Sequence, residues 1–329
     1  MDWLSLEFMQ RALLAALITG VTAPAIGTYI VQRRLSLLGD GLGHLAVAGV
    51  GLAMLTGTMP LAVAVVVCVV GAVAIELLRE SGRTQGDVGL AVLFYGGLSG
   101  GLLLAGLAGQ GSGALSGYLF GSLLTVGAVD LWAIAILGLV VLVVSLGLVP
   151  QLFAVSADEA FARTIGLPVR LLNTIVVALA AVTVTVSMRT VGLLLVSALM
   201  VIPVATANHL VAGFRRGLFA AMALGGVAAV AGTVGSYYLD TAPGALIVVI
   251  AIAGFIISWP LSRLLLGNTD APREVGSPDD PGPAEKVPEE HPHVHGPGCG
   301  HLAVEHAGHL DYVHDGHRHA AHEDHYDEH

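Results

Sequence analysis

Apolar residues in this chain come in runs of about 20, and the runs recur from Phe8 to Leu265. Each run is long enough to cross the hydrocarbon core of a bilayer as a helix. The pattern predicts an all-α polytopic membrane protein with about nine transmembrane helices, or eight if the short second and third runs form a re-entrant or broken helix. The predicted spans are Phe8–Val31, Leu37–Gly57, Pro60–Arg79, Val88–Leu107, Val129–Val149, Val169–Met188, Val191–His209, Leu218–Leu239 and Ala245–Leu265.

Composition supports this prediction. Of the 329 residues, 55% are hydrophobic and 12% are charged, and the mean hydropathy is +0.81. A soluble domain carries about twice that charged fraction. The 43 glycines predict close helix–helix approach inside the membrane. The two cysteines, Cys68 and Cys299, lie far apart in unlike settings, so no disulfide framework is expected.

Two ionisable residues, Asp40 and His44, stand alone in the second apolar run. Four residues apart on a helix, their side chains lie on one face, one turn apart. A carboxylate and an imidazole so placed can share a divalent transition metal. Ionisable groups inside a membrane are rarely kept without a function. The spacing is equally compatible with two interfacial residues that cap the helix start and face lipid headgroups.

The segment from Gln151 to Pro168 interrupts the apolar pattern. It contains Asp158, Glu159 and Arg163 among apolar residues at helical spacing. We interpret it as a short amphipathic helix outside the bilayer, opened by Ser156 as the N-cap. Such a helix suits an interfacial position or a docking surface for another subunit. The arginine distribution places this segment and the C-terminus on the cytoplasmic side.

Composition changes abruptly after Gly267, so we divide the chain into a transmembrane domain (1–267), a disordered acidic and proline-rich linker (268–290) and a histidine-rich tail (291–329). The tail histidines are irregularly spaced and mixed with acids, unlike an expression tag. We expect a flexible, non-specific metal-binding segment, with a pH-responsive tail as the alternative. Its candidate ligands are His291, His293, His295, Cys299, His301, His306, His309, His314, His317, His319, His322, His325 and His329.

No nucleotide-binding or hydrolytic motif accompanies these features. The chain lacks the glycine-rich phosphate loop that ends in Lys-Ser or Lys-Thr, and its only lysine is Lys286 in the tail. It also lacks the common metalloprotease and serine-hydrolase motifs. The chain is therefore expected to be no enzyme and to bind no nucleic acid. Any ATP that powers transport must be hydrolysed by another subunit.

Four segments resemble one family in order and at the expected spacing. RRLSLLGDGLGH, YLFGSLLTV, VSADEAFARTIGLP and TVGLLLVSALMVIPVATA are similar to segments of the permeases of bacterial zinc/manganese ABC importers. The resemblance covers roughly Leu13 to Leu265. It departs from the family pattern at Gly41, Gly43 and Leu45, where Ala, Ser and Ala are usual.

This resemblance implies a homodimeric permease in the bacterial plasma membrane, with two ATPase subunits and an extracytoplasmic metal-binding protein as partners. Asp40 and His44 match the residues that line the family's translocation path. The segment matching the ATPase-coupling segment contains Asp158, Glu159, Ala160, Arg163 and Gly166.

We therefore expect the chain to be the permease subunit of an ATP-driven importer of divalent metal. Imidazole-rich sites suit zinc better than manganese, so the tail favours Zn²⁺, with Mn²⁺ as the alternative. The tail would be cytoplasmic, and ATP would act only through the partner subunit. A proton-coupled secondary zinc carrier or a membrane metal sensor without transport would share some of these features. The carrier would usually show more than one intramembrane cluster of metal ligands.

Overall fold

A computed structural model describes the chain over residues 7–81, 86–109, 113–121, 127–265, 285–287, 302–306, 309–314, 317–322 and 325–328. The chain divides into two units, Met1–Gly267 and Asn268–His329. The first is helical and the second contains short strands.

The helical unit follows the apolar runs. Its elements are α1 (Glu7–Gln32), α2 (Leu38–Thr56), α3 (Pro60–Glu80), α4 (Gly86–Ala91), a π-helix (Val92–Gly96), α5 (Gly97–Leu107), α6 (Gly113–Phe120), α7 (Ala128–Gly147), α8 (Val149–Ala157), α9 (Glu159–Thr164), α10 (Val169–Ser187), α11 (Leu193–Leu210), α12 (Phe214–Leu239) and α13 (Pro243–Leu265).

The predicted polytopic helical fold is confirmed. Within the described residues, eight helical stretches are long and apolar enough to cross a membrane. They are α1, α2, α3, Val88–Leu107, α7, α10, α12 and most of α13. The remaining predicted span coincides with α11, an apolar helix of 18 residues. The predicted range of eight to nine spans therefore covers the observed elements.

The helices differ in how much of their surface the chain itself covers. Most residues of α1, α2 and α10 are buried, whereas α3, α7 and α13 expose apolar faces. The leucine, isoleucine and valine side chains on those faces are apolar and therefore suit contact with lipid. Lipid offers no water to the backbone, so the helix must satisfy its own backbone hydrogen bonds. Helix α2 packs against α3, α5, α10 and α11, so its polar residues lie in the interior of the unit.

A close crossing of α2 and α5 depends on glycine. A Cβ atom on Gly97 would lie 2.5 Å from the backbone nitrogen of Leu45 and 2.6 Å from the carbonyl carbon of His44. A Cβ atom on Gly101 would lie 2.6 Å from the carbonyl carbon of Val47. Small residues that let helix backbones approach are the expected packing device in membranes. This crossing fixes α5 directly against the part of α2 that carries His44.

The second unit contains a five-stranded antiparallel sheet. Its strands are β1 (Glu285–Val287), β2 (Leu302–His306), β3 (His309–His314), β4 (His317–His322) and β5 (His325–Glu328), in the order β1-β5-β4-β3-β2. This sheet differs from the disordered tail that composition predicted. Strands β2 to β5 pair with their neighbours in sequence as local hairpins, whereas β1 pairs with β5, about 40 residues away. The other residues of the predicted linker and tail lie outside the described residues.

Candidate functional site

Asp40 and His44 lie one turn apart near the start of α2, inside the helical unit. His44 is 8% exposed and Asp40 is half-buried. The N-cap of α2 is Leu37, and no side chain caps this helix end. Asp40 therefore does not have the capping role that the sequence left open. Both side chains lie among neighbouring helices instead of on the exposed apolar faces.

Ser197 of α11 holds the carboxylate of Asp40. Its hydroxyl donates a hydrogen bond to Asp40 Oδ1, and Ser197 is itself buried. The two backbones meet here because Gly39 leaves room: a Cβ atom at Gly39 would lie 3.1 Å from Ser197 Cβ. The small residue Ser197 and Pro203 both lie inside the seventh apolar run, a composition that predicts only tight packing and a kink. The role of Ser197 as a partner of Asp40 appears only when α11 is packed on α2.

His44 has an aromatic neighbour and an unused nitrogen. Its ring centroid lies 4.0 Å from that of Phe94 with the ring planes at 64°. Phe94 lies in the π-helix, a wide-turn element that is frequent at functional sites. His44 Nδ1 is buried and has no hydrogen-bond partner within the described residues. A buried imidazole nitrogen left without a partner is unusual unless it binds something.

The departure from the family pattern at Leu45 has a packing explanation. Leu45 turns toward α3, where a Cβ atom on Gly71 would lie 2.4 Å from Leu45 Cδ2. The larger side chain at position 45 is therefore accommodated by the absence of a side chain at position 71. Leu45 therefore packs toward α3, away from Ser197 of α11, which contacts Asp40.

The predicted amphipathic segment forms two helices instead of one. Ser156 lies within α8, and α9 begins after Asp158, whose Oδ1 accepts a hydrogen bond of 2.9 Å from the backbone N–H of Phe161. Asp158 is thus the N-cap, and the prediction for Ser156 was wrong. The reason is local geometry: Asp158 has extended backbone angles, as an N-cap requires, whereas Ser156 is helical.

Gly166 ends α9. Its φ is +81°, and the N–H groups of Gly166 and Leu167 donate to the carbonyls of Arg163 and Ala162 at 3.1 and 3.0 Å. This pair of bonds is the Schellman motif, in which glycine is favoured because it has no Cβ atom. Phe161 and Ile165 on this short helix are 57% and 53% exposed. The segment therefore presents an apolar pair on an otherwise polar surface.

A partly buried group of charges, missed by the sequence analysis, joins this segment to the transmembrane helices. Arg33 Nη2 lies 3.2 Å from Glu76 Oε1 and 3.2 Å from Glu159 Oε1. Arg79 contacts Glu76 at 2.8 Å and Glu159 at 3.5 Å, and Asn173 Nδ2 donates to Glu159 Oε1 at 3.0 Å. We call these five residues the charge cluster. Glu76, an acid within the third apolar run, was the signal that could have revealed it.

His209, at the end of α11, does not join Asp40 and His44. Its Nδ1 lies 3.1 Å from the Ser258 hydroxyl, and its ring stacks 5.0 Å from that of Phe255. Among the side chains that the structure describes, no group of three or more His, Cys, Asp or Glu residues could hold a metal ion. Asp40 and His44 form a group of only two potential donors, fewer than a closed structural site requires.

Seven tail candidates lie on described strands. From His301 to His325 the intervals between histidines alternate between five and three residues, with His319 as an addition. The histidines before His301 and after His325 do not follow this alternation. The candidates on strands are His306, His309, His314, His317, His319, His322 and His325. His291, His293, His295, Cys299, His301 and His329 lie outside the described residues.

The match to a known protein family covers nearly all of the helical unit. The sequence profile of the ABC 3 transport family matches residues 5–262. The chain belongs to the ABC 3 transport family. It is thus a multi-pass permease of a metal ABC importer of the bacterial plasma membrane, and the alternative of a secondary carrier is not supported.

Relatives of this ABC 3 permease are named for different metals. It is 32% identical to the manganese transport system membrane protein MntC of Halalkalibacterium halodurans, over 78% of this chain and 88% of that protein. It is 33% identical to the chelated iron transport system membrane protein YfeD of Yersinia pestis, over 76% and 84%. One name refers to manganese and the other to chelated iron, and neither mentions zinc, so the expected zinc specificity is not supported.

A solved structure shares the fold of this ABC 3 permease. PsaBC from Streptococcus pneumoniae in complex with Fab aligns with a TM-score of 0.72 at 28% identity, covering 80% of this chain and 96% of that chain. The coverage matches the helical unit.

Proposed function

We propose that this permease forms the path of a divalent transition-metal importer and that Asp40 and His44 bind the ion transiently. The observation that carries the proposal is the buried, unpartnered Nδ1 of His44, one turn from a carboxylate held by Ser197. A fixed carboxylate oxygen and a free imidazole nitrogen are suitable first-row metal ligands. Binding of an ion would also explain why Asp40 and His44 are present in the interior of the helical unit, where ionisable groups are costly.

Two copies would complete the site. Two donors from each chain give four in a homodimer, and a metal held by few ligands can leave again, as transport requires. An extracytoplasmic metal-binding protein would deliver the ion. The apolar faces of the outer helices offer surface for a second copy as well as for lipid.

We propose manganese as the transported ion, with zinc as the competitor to be tested. The names of the relatives favour manganese, and a site of mixed carboxylate and imidazole donors accepts either metal. The imidazoles of the tail favour zinc as the ion that the tail binds. The transported ion and the ion bound by the tail therefore need not be the same. If the tail is cytoplasmic, it would buffer or sense metal after import.

Helix α9 is the proposed contact for the two ATPase subunits. Its exposed pair, Phe161 and Ile165, can enter an apolar groove of a partner in the way that short recognition helices do. Glu159 of the same helix contacts Arg33 and Arg79 in the charge cluster. Movement of α9 would therefore reach α1 and α3 through ionic contacts and shift the spans between outward-open and inward-open states.

Metal uptake by cells that express the complete transporter tests the path. His44→Ala and Asp40→Ala should each abolish saturable uptake of radiolabelled manganese while protein levels stay normal. His209→Ala is the matched control, because His209 Nδ1 already has Ser258 as a partner. Undiminished uptake by either path variant removes the proposed site. Uptake of labelled zinc but not manganese by the unmodified protein would reverse the assignment of cargo.

Deletion after Gly267 tests the tail. The truncated protein should bind less zinc in equilibrium dialysis and should still import manganese, because the path lies wholly in the helical unit. Unchanged zinc binding would remove the proposed role of the tail without affecting the path.

A further inference from the structure

A polar cavity of about 330 Å³ lies where α1 ends, beside the charge cluster. It is lined by the end of α1 and the connection to α2, by one residue of α3, by the last turn of α8 and by the start of α9. Its volume is at the lower end of the range for small-ligand pockets, about 300–1,000 Å³. Neither Asp40 nor His44 lines it, so the cavity is separate from the proposed metal path.

The lining of this cavity carries an excess of positive charge. Three of its residues are Arg33, Arg34 and Arg79. Glu159 is the only acid among the described residues of the lining, which leaves an excess of two positive charges. One positive charge remains in excess when Glu76, which accepts from Arg33 and Arg79, is counted as well. Arg34 is exposed and has no ion-pair partner among the described residues.

Two buried donors in the lining have no acceptor. The side chain of Arg33 is 5% exposed, and its Nη2 donates to Glu76 and Glu159. Its Nη1 has no hydrogen-bond partner in the part of the chain that the structure describes. The hydroxyl of Ser156, a residue that is 6% exposed, has none there either. Because unsatisfied buried donors cost free energy, such groups usually bind a ligand or an ordered water.

We propose that this cavity is an oxyanion site that takes a phosphate group, carried either by a lipid headgroup or by a soluble phosphate. A guanidinium matches a phosphate in both charge and geometry. A phosphate would offer acceptors to Arg33 Nη1 and to the Ser156 hydroxyl, which no hydrogen bond holds in another direction. It would also offset the excess positive charge, whereas water could supply only the acceptors. Basic pockets between transmembrane helices bind anionic headgroups for the same reason.

A bound phosphate would connect parts of the chain that move separately in the proposed coupling. Ser156 lies in α8, whereas Arg33 and Arg34 lie between α1 and α2. The anion would therefore hold α8, and with it the start of α9, against the end of α1. A ligand that binds only the folded state also raises the midpoint of thermal unfolding, which gives a second measurement of binding.

The test uses the full-length protein in detergent and two probes. Radiolabelled inorganic phosphate and dioctanoyl phosphatidic acid, a short-chain lipid with a phosphate headgroup, are titrated separately. Arg34→Gln removes an exposed guanidinium and Ser156→Ala removes the buried hydroxyl, and each should weaken binding about tenfold. Arg216→Gln is the matched control, because Arg216 is an exposed arginine outside the cavity, and it should leave the affinity unchanged. Arg33 is kept because its loss would also disrupt the charge cluster.

Each outcome decides for or against the site. Saturable binding of the lipid alone identifies a headgroup as the ligand, and saturable binding of phosphate alone identifies a soluble anion; both results support the site. No saturable binding of either probe overturns the proposal and assigns the cavity to water. Equal weakening by Arg34→Gln and Arg216→Gln also overturns it, because general surface charge would then hold the anion. Unchanged affinity in both Arg34→Gln and Ser156→Ala places the anion elsewhere. Metal uptake is not measured, so these results are independent of the proposed path.

Discussion

Glu76→Gln removes one negative charge from the charge cluster while keeping the size of the side chain. Glu76 and Arg33 are only 4% and 5% exposed as side chains. Glu76 receives two hydrogen bonds from Arg79, at 2.9 and 2.8 Å, and one from Arg33 at 3.2 Å. Glutamine offers a single acceptor oxygen, and its amide group would face a guanidinium. The two arginines would then have Glu159 as their only anion within the described cluster.

The size of the effect follows from burial. Removing one partner of a buried ion pair costs about 3–5 kcal/mol. Arg33 keeps its 3.2 Å contact with Glu159, and Arg79 is 31% exposed, so solvent compensates in part. We therefore expect the lower end, about 3 kcal/mol. At about 2–4 °C per kcal/mol for a unit of this size, the midpoint of thermal unfolding should fall by about 6–12 °C.

Thermal unfolding of the purified protein in detergent, followed by loss of the monodisperse peak in size-exclusion chromatography, measures this shift. Glu80→Gln is the matched control: it is the same substitution one turn further along α3. Glu80 is 14% exposed, but its ion-pair partner Arg170 is 74% exposed and remains solvated when the pair is broken. Exposed pairs contribute about 0–1 kcal/mol. The control should therefore shift the midpoint by at most about 4 °C.

A second variant separates the pair from the individual residues. Adding Arg33→Met to Glu76→Gln removes the cation that the first change left under-compensated, so the double variant should recover part of the lost stability. Equal shifts for Glu76→Gln and Glu80→Gln, or strictly additive losses in the double variant, would refute the reasoning.

Three further predictions concern single positions. Gly97→Ala should lower the free energy of unfolding by about 1–3 kcal/mol, because the new methyl group meets the backbone of α2. Gly100→Ala is the control and should be neutral, because nothing lies within 4 Å of its added Cβ atom. Equal unfolding midpoints for the two variants contradict this prediction. Ser197→Ala should raise the half-saturating metal concentration for uptake about tenfold by releasing Asp40; an unchanged value argues against that role. Arg34→Gly should raise the unfolding midpoint by about 2–4 °C, since Arg34 has a φ of +58°; a lower midpoint would count against strain there.

Local patterns predicted most of the helical unit. The length of each apolar run gave a span, because a bilayer requires a helix of about 20 residues wherever the backbone crosses it. The interval between Asp40 and His44 placed them on one face, because helical periodicity alone decides that. Where the boundaries were missed, as at Ser156, two nearby residues were both acceptable N-caps and only the backbone angles distinguished them.

Contacts between distant segments were out of reach of the sequence. Ser197 and Phe94 meet Asp40 and His44 because α11 and the π-helix pack on α2, and the charge cluster joins Arg33, just after α1, to residues of α3, α9 and α10. The amino-acid order alone determined which segments are helical, which side chains can bind metal and where the composition changes at Gly267. Tertiary structure alone decided which of those side chains share a site, because glycine-dependent helix crossings bring together residues that no local periodicity relates.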